Sequence, residues 1–413
     1  MTDRQAETAA TGEGPSAPAD AAREVFLRPG GDRRLAAGVP WVFSNEVRMD
    51  LGAKAIEPGT LVTLRRADGK PLGVGSFNAN ALIAFRLFDR DGRATIDADW
   101  LDGRLARALE IRERLYDEPF YRLVHAEADG LPGFIVDRYG PVAVVQANTA
   151  GADRLMPEML AALDRVMAPD AVVARNDSTA RAQEGLPTVV TTCTGRIDGP
   201  VEVREGGATF LADVLAGQKT GWFFDQRDNR RDVAPLGRNG AVLDAYCYTG
   251  GFAIGAALAG AATVDGIDGS EAAIELAAAA ARLNGVDKVT SFRRADVFDE
   301  LGRLADDRRR YRLVIADPPA FVRSRKDLAS GLKGYRKLAR LAAPVVERGG
   351  FLSIASCSHN VDMTAFVNEV AIGLDRAGRS GRILRQSGAA ADHPVHPRLP
   401  ETAYLKALLI ALD

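Results

Sequence analysis

Residues 241–251 read Ala-Val-Leu-Asp-Ala-Tyr-Cys-Tyr-Thr-Gly-Gly, an apolar run that contains a carboxylate and leads into two glycines. The run Ala241–Ala245 predicts a buried strand, and the Ala-rich stretch after the glycines predicts a helix. Glycines in such a turn let a ligand lie close to the backbone. Taken alone, the turn is also compatible with a plain connection, because the full Gly-x-Gly-x-x-Gly pattern is absent.

The alternation of strands and helices continues toward the C-terminus. Further apolar runs predict strands at residues 263–268, 289–292, 311–316 and 350–355, and a helix is predicted from Ser270 to Leu283. This order predicts an α/β fold with a doubly wound, mostly parallel sheet. Ligands of such sheets bind at the carboxyl ends of the strands. Residues 201–413 are therefore predicted to form one α/β domain.

Acidic residues stand at four of these strand ends, namely Asp244, Asp268, Asp296 and Asp317. Asp268 is placed to accept hydrogen bonds from a ribose diol, and Asp296, which precedes Val297, to receive an adenine amino group. Asp317 begins the sequence Asp-Pro-Pro-Ala-Phe, whose prolines stiffen a turn. A single aspartate at such a position is more often a helix cap. Four of them in order favour a ligand site.

This ordered set resembles the class I S-adenosylmethionine methyltransferases. The resemblance implies S-adenosylmethionine as the cofactor, with no metal, and a cofactor site made of Asp244, Tyr248, Thr249, Gly250, Gly251, Asp268, Asp296, Val297 and Asp317. NAD-binding Rossmann domains share the ribose-binding acid, and that feature alone leaves hydride transfer open. The Asp-Pro-Pro step at the fourth strand is typical of methyltransferases that act on nucleobases, and it favours methyl transfer.

Cys357 follows the fifth predicted strand directly, between Ser356 and Ser358. Carbon 5 of cytosine becomes nucleophilic when a thiolate adds to carbon 6, so a cysteine beside the cofactor indicates covalent catalysis. We expect turn amides and nearby cations to lower the pKa of this thiol. The alternative is a small packing residue, which is the interpretation preferred for Cys193 and Cys247. Cys357 is predicted to be the nucleophile.

Two smaller units are predicted upstream. Residues 24–95 carry short strands with an Asp68-Gly69 hairpin signal and predict a small β-barrel. Residues 96–200 begin with an amphipathic helical pattern and continue with mixed strands and helices, which predicts a central α+β domain. Residues 1–23 are small and polar and predict a disordered tail.

Longer motifs resemble the bacterial large-subunit ribosomal RNA cytosine-C5 methyltransferases that carry an amino-terminal PUA domain. These motifs occupy residues 34–46, 123–133, 135–139, 217–221, 225–229 and 390–395. The resemblance implies a PUA-like RNA-docking unit at residues 24–95. It also implies that Asp317 grips the cytosine edge and that Cys357 attacks carbon 6. The Asp-Pro-Pro-Ala-Phe motif lacks the second cysteine of many related enzymes. The base that removes the C5 proton therefore stays open among Lys326, His359, Asp392 and His393.

Contacts to RNA are predicted from a local cluster of charge. The chain has 53 basic and 55 acidic side chains, so its net charge of -2 does not indicate a nucleic-acid partner. Basic residues nevertheless gather after the Asp-Pro-Pro turn, at Arg323, Arg325, Lys326, Lys333, Arg336, Lys337 and Arg340. They predict phosphate contacts, although a solvated helix face is an equal alternative for each. Phe321 is interpreted as a residue that stacks on an extruded base or that packs internally.

The composition sets the remaining expectations. A chain that is 46% hydrophobic and 26% charged, without an apolar run of membrane-spanning length, is expected to be soluble. The first residues lack the pattern of a secretory signal, and the three cysteines lack metal or disulfide spacing, so a cytoplasmic protein is expected. A homodimer is compatible with the sequence. Two other functions stay open, namely methylation of a purine nitrogen, which needs no thiol, and an RNA-binding assembly factor without turnover.

Overall fold

The structure is a computed structural model that describes residues 23–413. The predicted disordered tail falls, except for its last residue, outside the described residues. Three units follow one another along the described chain, each built around its own sheet or sheets. In this part of the chain, no helix has both the length and the apolar character needed to cross a membrane.

The first unit is a five-stranded sheet with two short helices. Its elements are β1 (Glu24–Phe26), α1 (Arg33–Ala36), β2 (Trp41–Phe43), α2 (Leu51–Lys54), β3 (Thr60–Arg65), β4 (Pro71–Phe77) and β5 (Ile83–Asp89). The strand order is β1-β3-β4-β5-β2. Strands β3 and β4 form the antiparallel hairpin predicted from Asp68-Gly69.

The second unit is a five-stranded sheet packed against two longer helices. Its elements are α3 (Ala98–Leu115), β6 (Phe120–His125), β7 (Phe134–Tyr139), β8 (Val142–Ala147), α4 (Ala150–Arg154), α5 (Met156–Met167), β9 (Ala171–Asn176), α6 (Thr179–Gln183) and β10 (Val189–Thr194). The strand order is β10-β9-β8-β7-β6, and only β8 and β9 run parallel, with α4 and α5 in the crossover between them. This agrees with the predicted mixed α+β character.

The third unit contains a hairpin and a seven-stranded sheet. Its elements are β11 (Val201–Glu205), β12 (Ala208–Ala212), α7 (Arg227–Val233), β13 (Ala241–Ala245), α8 (Gly251–Leu258), β14 (Thr263–Asp268), α9 (Glu271–Leu283), β15 (Thr290–Arg294), α10 (Val297–Asp306), β16 (Tyr311–Ala316), α11 (Leu328–Ala342), β17 (Val346–Ser356), α12 (Met363–Arg376), β18 (Gly381–Ser387) and β19 (Lys406–Leu412).

The strand order of the large sheet is β15-β14-β13-β16-β17-β19-β18. The first five strands of this order are parallel, and β19 is antiparallel to both β17 and β18. The predicted doubly wound, mostly parallel sheet is confirmed. Because the order reverses between β13 and β16, the carboxyl ends of these two strands flank the point where ligands bind in such sheets.

Successive residues of the central strands face opposite cores. Val242 and Leu313 pack with α8 and α9, whereas Leu243 and Val314 pack with α10, α11 and α12. Side chains alternate across a strand, and both faces of this sheet are covered by helices. This arrangement explains why these strands read as continuous apolar runs in the sequence.

A buried polar network joins the second unit to the third. The Arg122 guanidinium donates two hydrogen bonds of 2.8 Å to the Asp137 carboxylate, and the Thr220 hydroxyl donates to the same carboxylate at 2.5 Å. The Arg112 guanidinium donates to the main-chain oxygen of Asp392 at 2.9 Å, and the Asp392 side chain accepts the main-chain N–H of Arg122 at 3.0 Å. The network therefore fixes residues near 220 and near 392 against the second unit.

Candidate active site

A cavity of about 550 Å³ opens at the carboxyl ends of β13, β14, β16 and β17. Five groups of residues line it, namely residues 218–219, 222–223, 225–226 and 230, residues 246–248 and 251–252, residues 268–270, residues 317–320, and the pair Cys357 and Leu405. Of the predicted site residues, Tyr248, Gly251, Asp268, Asp317 and Cys357 are therefore brought together at one cavity.

Asp268 holds the turn that follows β13. One carboxylate oxygen accepts the main-chain N–H of Tyr248 at 3.0 Å, and the other accepts that of Ser270 at 2.9 Å. Tyr246 and Tyr248 both have positive φ angles, of 66° and 49°, which costs free energy for residues other than glycine. Asp268 thus lies at the cavity with both of its oxygens already positioned by the two adjacent turns.

The glycine turn brings α8 close to the cavity wall. Gly250 has a φ of 85°, in the left-handed region that favours glycine. A Cβ atom added at Gly251 would lie 3.1 Å from both the Arg230 and the Trp222 side chains. Gly251 lines the cavity, whereas Thr249 and Gly250 lie behind it. The absence of a side chain at Gly251 therefore lets Arg230 and Trp222 pack against the start of α8, and the approach of a ligand to these glycines stays a prediction.

Asp244 lies beneath this turn and has no exposed surface. One of its oxygens accepts the main-chain N–H of Ala253 in α8 at 2.9 Å. The other oxygen has no hydrogen-bond partner among the described residues. Burial raises the pKa of Asp244 to about 8, opposed by the Ala253 hydrogen bond and reinforced by the charges of Asp317 and Asp268. The structure gives Asp244 a role in holding α8 rather than a place in the cavity wall.

Asp296 and Val297 begin helix α10. One oxygen of Asp296 accepts the main-chain N–H groups of Phe298 and Asp299 at 2.9 and 3.1 Å, which is the geometry of a helix cap. Val297 is buried in the core with α10. Both residues lie outside the lining of the cavity as the structure describes it.

Asp317 and Cys357 follow the neighbouring strands β16 and β17, and both line the cavity. The Cys357 sulfur lies 4.0 Å from the main-chain oxygen of Pro318, the residue after Asp317. Burial raises the pKa of Asp317 to about 7, and the charge of Asp225 adds to the shift. The charge of Lys219 and, to a smaller extent, the Gln226 side chain lower the pKa of Asp317 and oppose this shift.

The expectation that the Cys357 pKa is lowered is wrong. Burial raises the pKa of this thiol, and the charges of Asp317 and Asp225 raise it further, while Lys219 acts in the opposite direction. The desolvation of a thiolate in this cavity outweighs the attraction of Lys219. Cys247, which we interpreted as a packing residue, also lines the cavity. Burial raises the pKa of its thiol well above the usual value.

Sequence reasoning missed the residues of the loop before α7. Lys219, Asp225 and Gln226 line the cavity, and the Tyr404 hydroxyl donates to Asp225 at 2.5 Å. Lys219 and Asp225 lie in the motifs at residues 217–221 and 225–229, which carry the family resemblance but assign no role to either side chain. The available signal was the position of these two charged residues on either side of the aromatic run at residues 222–224, but it gave no indication of what they face.

The four candidates for the proton-abstracting base lie outside this cavity lining. Asp392 and His393 are buried, with a contact of 2.8 Å between them, in the network that joins the units. His359 is exposed, and its ring stacks on Tyr404 with centroids 5.1 Å apart. Lys326 is exposed in a short turn before α11.

The predicted RNA-contacting cluster divides into exposed and paired side chains. Arg323, Arg325, Lys326 and Lys333 are exposed, whereas Arg336 forms hydrogen bonds of 2.7 and 3.0 Å to Glu369. Phe321 packs against other rings, with centroids 6.0 Å from Phe298 and 4.8 Å from Tyr335. The structure favours the packing interpretation of Phe321 over base stacking.

The fold and the cavity are those of an S-adenosylmethionine-dependent methyltransferase preceded by a PUA-like domain. Residues 190–411 match the family model described as S-adenosylmethionine-dependent methyltransferase, and residues 25–90 match the PUA-like domain model. Within the described residues, no group of three or more His, Cys, Asp or Glu side chains is arranged to hold a metal ion.

Curated relatives define the family more narrowly. The chain is 34% identical to "Ribosomal RNA large subunit methyltransferase I" of Shewanella denitrificans, over 93% of this chain and 98% of that protein. It is 35% identical to the protein of the same name from Shewanella amazonensis over the same shares. The chain belongs to the ribosomal RNA large subunit methyltransferase I family.

Solved structures share the fold over almost the whole chain. A putative methyltransferase from Streptococcus mutans has a TM-score of 0.79 at 20% identity, covering 94% of this chain and 100% of that one. A putative methyltransferase complexed with SAH has a TM-score of 0.80 at 19% identity with the same coverage. At this identity the likeness concerns the fold.

Proposed function

We propose that the protein transfers a methyl group to carbon 5 of a cytosine in large-subunit ribosomal RNA, with Cys357 as the nucleophile. The names of the relatives support a large-subunit ribosomal RNA substrate. The observation that carries the proposed chemistry is the position of Cys357, on the same cavity as Asp268 and Asp317. This substrate also implies a cytoplasmic protein.

The cavity fits S-adenosylmethionine. Gly251 lines the cavity without a side chain, and Asp268 presents a carboxylate beside the turn. Trp222, Phe223 and Phe252 supply apolar walls. Asp268 would hold the ribose, and the Gly251 turn would lie against the remainder of the molecule. When bound, S-adenosylmethionine supplies an electrophilic methyl group.

Cys357 and Asp317 would act on the base. The Cys357 thiolate would add to carbon 6, which makes carbon 5 a nucleophile that can accept the methyl group. Loss of the C5 proton to a base would then re-form the C5–C6 double bond as the bond between carbon 6 and sulfur breaks and the thiolate leaves. Asp317, with a pKa of about 7, is partly protonated at neutral pH. Its carboxyl group can therefore donate a hydrogen bond to the cytosine edge as negative charge develops there.

The proposal is tested with ribosomal RNA from a strain that lacks this gene, purified protein and methyl-labelled cofactor. Wild-type protein is expected to produce 5-methylcytidine in large-subunit RNA, and Cys357→Ala to produce none. Cys193→Ala is the matched control, because Cys193 lies in β10 of the second unit, and it is expected to keep activity.

A second measurement tests the covalent step directly. RNA that carries 5-fluorocytidine at the target position lacks the proton whose removal releases the enzyme. It is therefore expected to remain bound to wild-type protein under denaturing conditions and to be released by Cys357→Ala. Label on a purine, or full turnover by Cys357→Ala, would instead support methylation of a base nitrogen. Cofactor binding without turnover would support an assembly factor.

A further inference from the structure

Lys219 lies at the cavity on a constrained stretch of backbone. Its φ angle is 51°, in the left-handed region, between Gly217 and Gly221. The next residue, Thr220, is fully buried and hydrogen-bonds to Asp137 of the second unit. The main chain around Lys219 is therefore fixed, while the Lys219 side chain lines the cavity with Asp317 and Cys357.

The ammonium group of Lys219 is held over the cavity by three contacts. It lies 3.5 Å from a carboxylate oxygen of Asp225. It also lies 4.4 Å from the centre of the Phe223 ring and 5.8 Å from that of Tyr404, within reach of cation–π attraction. Asp225 is buried, and Tyr404 fixes it through the 2.5 Å hydrogen bond. The position of the cation is thus set by groups that are themselves fixed.

Lys219 and Cys357 line the same cavity. Its charge lowers the pKa of the Cys357 thiol, against the burial and the carboxylates that raise it. The charged and titratable groups that interact with Cys357 are Lys219, Asp225, Asp317, Tyr335, Tyr404 and Lys406. Lys406 donates two hydrogen bonds of 2.6 Å to the main-chain oxygens of Ser358 and Tyr404. These bonds tie the Lys406 ammonium group to the backbone outside the lining of this cavity, whereas Lys219 lies in the cavity wall beside Cys357.

We propose that Lys219 is a positioning residue that stabilises the thiolate of Cys357 at the start of the reaction. When the thiol proton leaves, the new negative charge on sulfur gains a partner already at the cavity wall. Lys219 forms no bond to the RNA base in this step and transfers no proton. The inference rests on the proposed function, because it takes Cys357 as the nucleophile.

The test measures the thiolate itself and needs neither RNA nor cofactor. Wild-type protein, Lys219→Met and Lys219→Arg are treated with iodoacetamide between about pH 7 and pH 11.5, and the rate at which the Cys357 peptide is alkylated is followed by mass spectrometry, because below the midpoint this rate is proportional to the thiolate fraction. In Lys219→Met, the midpoint for Cys357 is expected to rise by about one pH unit, which is about tenfold less thiolate below the midpoint. Lys219→Arg is expected to restore most of the wild-type profile.

Two controls separate this effect from a structural one. The Cys193 peptide in the same digest is an internal reference whose profile is expected to stay unchanged. Lys288→Met removes the same charge from an exposed turn before β15 and is expected to leave Cys357 unchanged. If alkylation of Cys357 is too slow to follow, the ultraviolet absorbance of the thiolate gives the midpoint, as the difference between each protein and its Cys357→Ser counterpart.

The outcomes distinguish this inference from the proposed function. An unchanged Cys357 midpoint in Lys219→Met would overturn the role of Lys219, even if Cys357 proves essential for turnover. A raised midpoint together with full turnover by Cys357→Ala would leave the electrostatic pairing in place and overturn covalent catalysis.

Discussion

The hydroxyl group of Tyr404 donates a hydrogen bond of 2.5 Å to Asp225, and both side chains are buried. Tyr404 comes from the segment before the last strand, and Asp225 from the loop before α7, so the contact joins parts of the chain 179 residues apart. The other oxygen of Asp225 has no hydrogen-bond partner within the described residues. The hydrogen bond from Tyr404 is therefore a main interaction that fixes the position of the Asp225 carboxylate.

Tyr404→Phe is expected to destabilise the protein by about 1–3 kcal/mol, because it leaves a buried carboxylate short of a donor. The measurement is the free energy of unfolding from urea titrations. In wild type, Asp225 has a pKa lowered from 3.8, chiefly by Lys219 against burial. The contribution of ionised Asp225 to the free energy of unfolding is therefore present above about pH 3.8 and is lost as the pH falls toward its lowered pKa. In Tyr404→Phe this acid-induced loss is expected at higher pH. Identical unfolding curves at every pH would contradict the prediction.

Asp244→Asn is expected to change how stability depends on pH. Because the pKa of Asp244 rises from 3.8 to about 8 on folding, the folded state binds more protons between these values. Wild-type stability contributed by this group is thus full below pH 3.8 and declines as the pH rises toward 8. Asparagine cannot ionise, so the variant lacks this decline. The free energy of unfolding of Asp244→Asn relative to that of wild type is expected to increase by roughly 1–3 kcal/mol between mildly acidic and mildly alkaline pH. A difference between the two proteins that is constant with pH would contradict a protonated Asp244.

Asp137→Asn is expected to cost about 3–5 kcal/mol, because Arg122 would lose its charged partner at a buried interface. Thr220 would lose a hydrogen bond at the same time, so methyl transfer is expected to weaken as well. The matched control is Glu110→Gln, which breaks an exposed pair with Arg114 on α3 and should cost less than about 0.5 kcal/mol. Similar losses in both variants would show that the buried pair contributes no more than a surface pair.

The parts of the site that sequence reasoning found are those that a parallel sheet dictates. Asp268, Asp317 and Cys357 each end or directly follow a strand, and the parallel arrangement places those ends along one edge. The same argument predicted that Asp296 lies at this edge of the sheet as a ligand. Its carboxylate instead accepts hydrogen bonds from main-chain N–H groups in the first turn of α10. A strand-end aspartate serves either as a ligand or as a cap, and the sequence pattern is the same for both.

The parts that sequence reasoning missed depend on long-range contacts. Strand β18 pairs with β19, although the residues between the two strands show no apolar periodicity. Almost every residue of β18 is exposed, so the sequence of β18 did not predict a strand. Lys219 reaches the cavity because Thr220 is anchored on Asp137 of another unit. The direction of the Cys357 pKa shift was wrong for the same reason, because burial is a property of the assembled cavity and not of the neighbouring residues in the chain.

Lys333 and Arg336 lie less than one turn apart on α11 and are expected to behave differently toward RNA. Lys333 is exposed, whereas Arg336 is held by Glu369 of α12. If the cluster contacts phosphates, Lys333→Gln should weaken RNA binding and lower the slope of log affinity against log salt by about 0.7–1. Arg336→Gln should leave that slope nearly unchanged and instead reduce the free energy of unfolding, because its charge is already neutralised by Glu369.

The measurement is binding to a large-subunit RNA fragment across a salt series. Equal slopes for wild type and Lys333→Gln would remove α11 from the RNA-binding surface, and a lowered slope for Arg336→Gln would mean that RNA displaces Glu369.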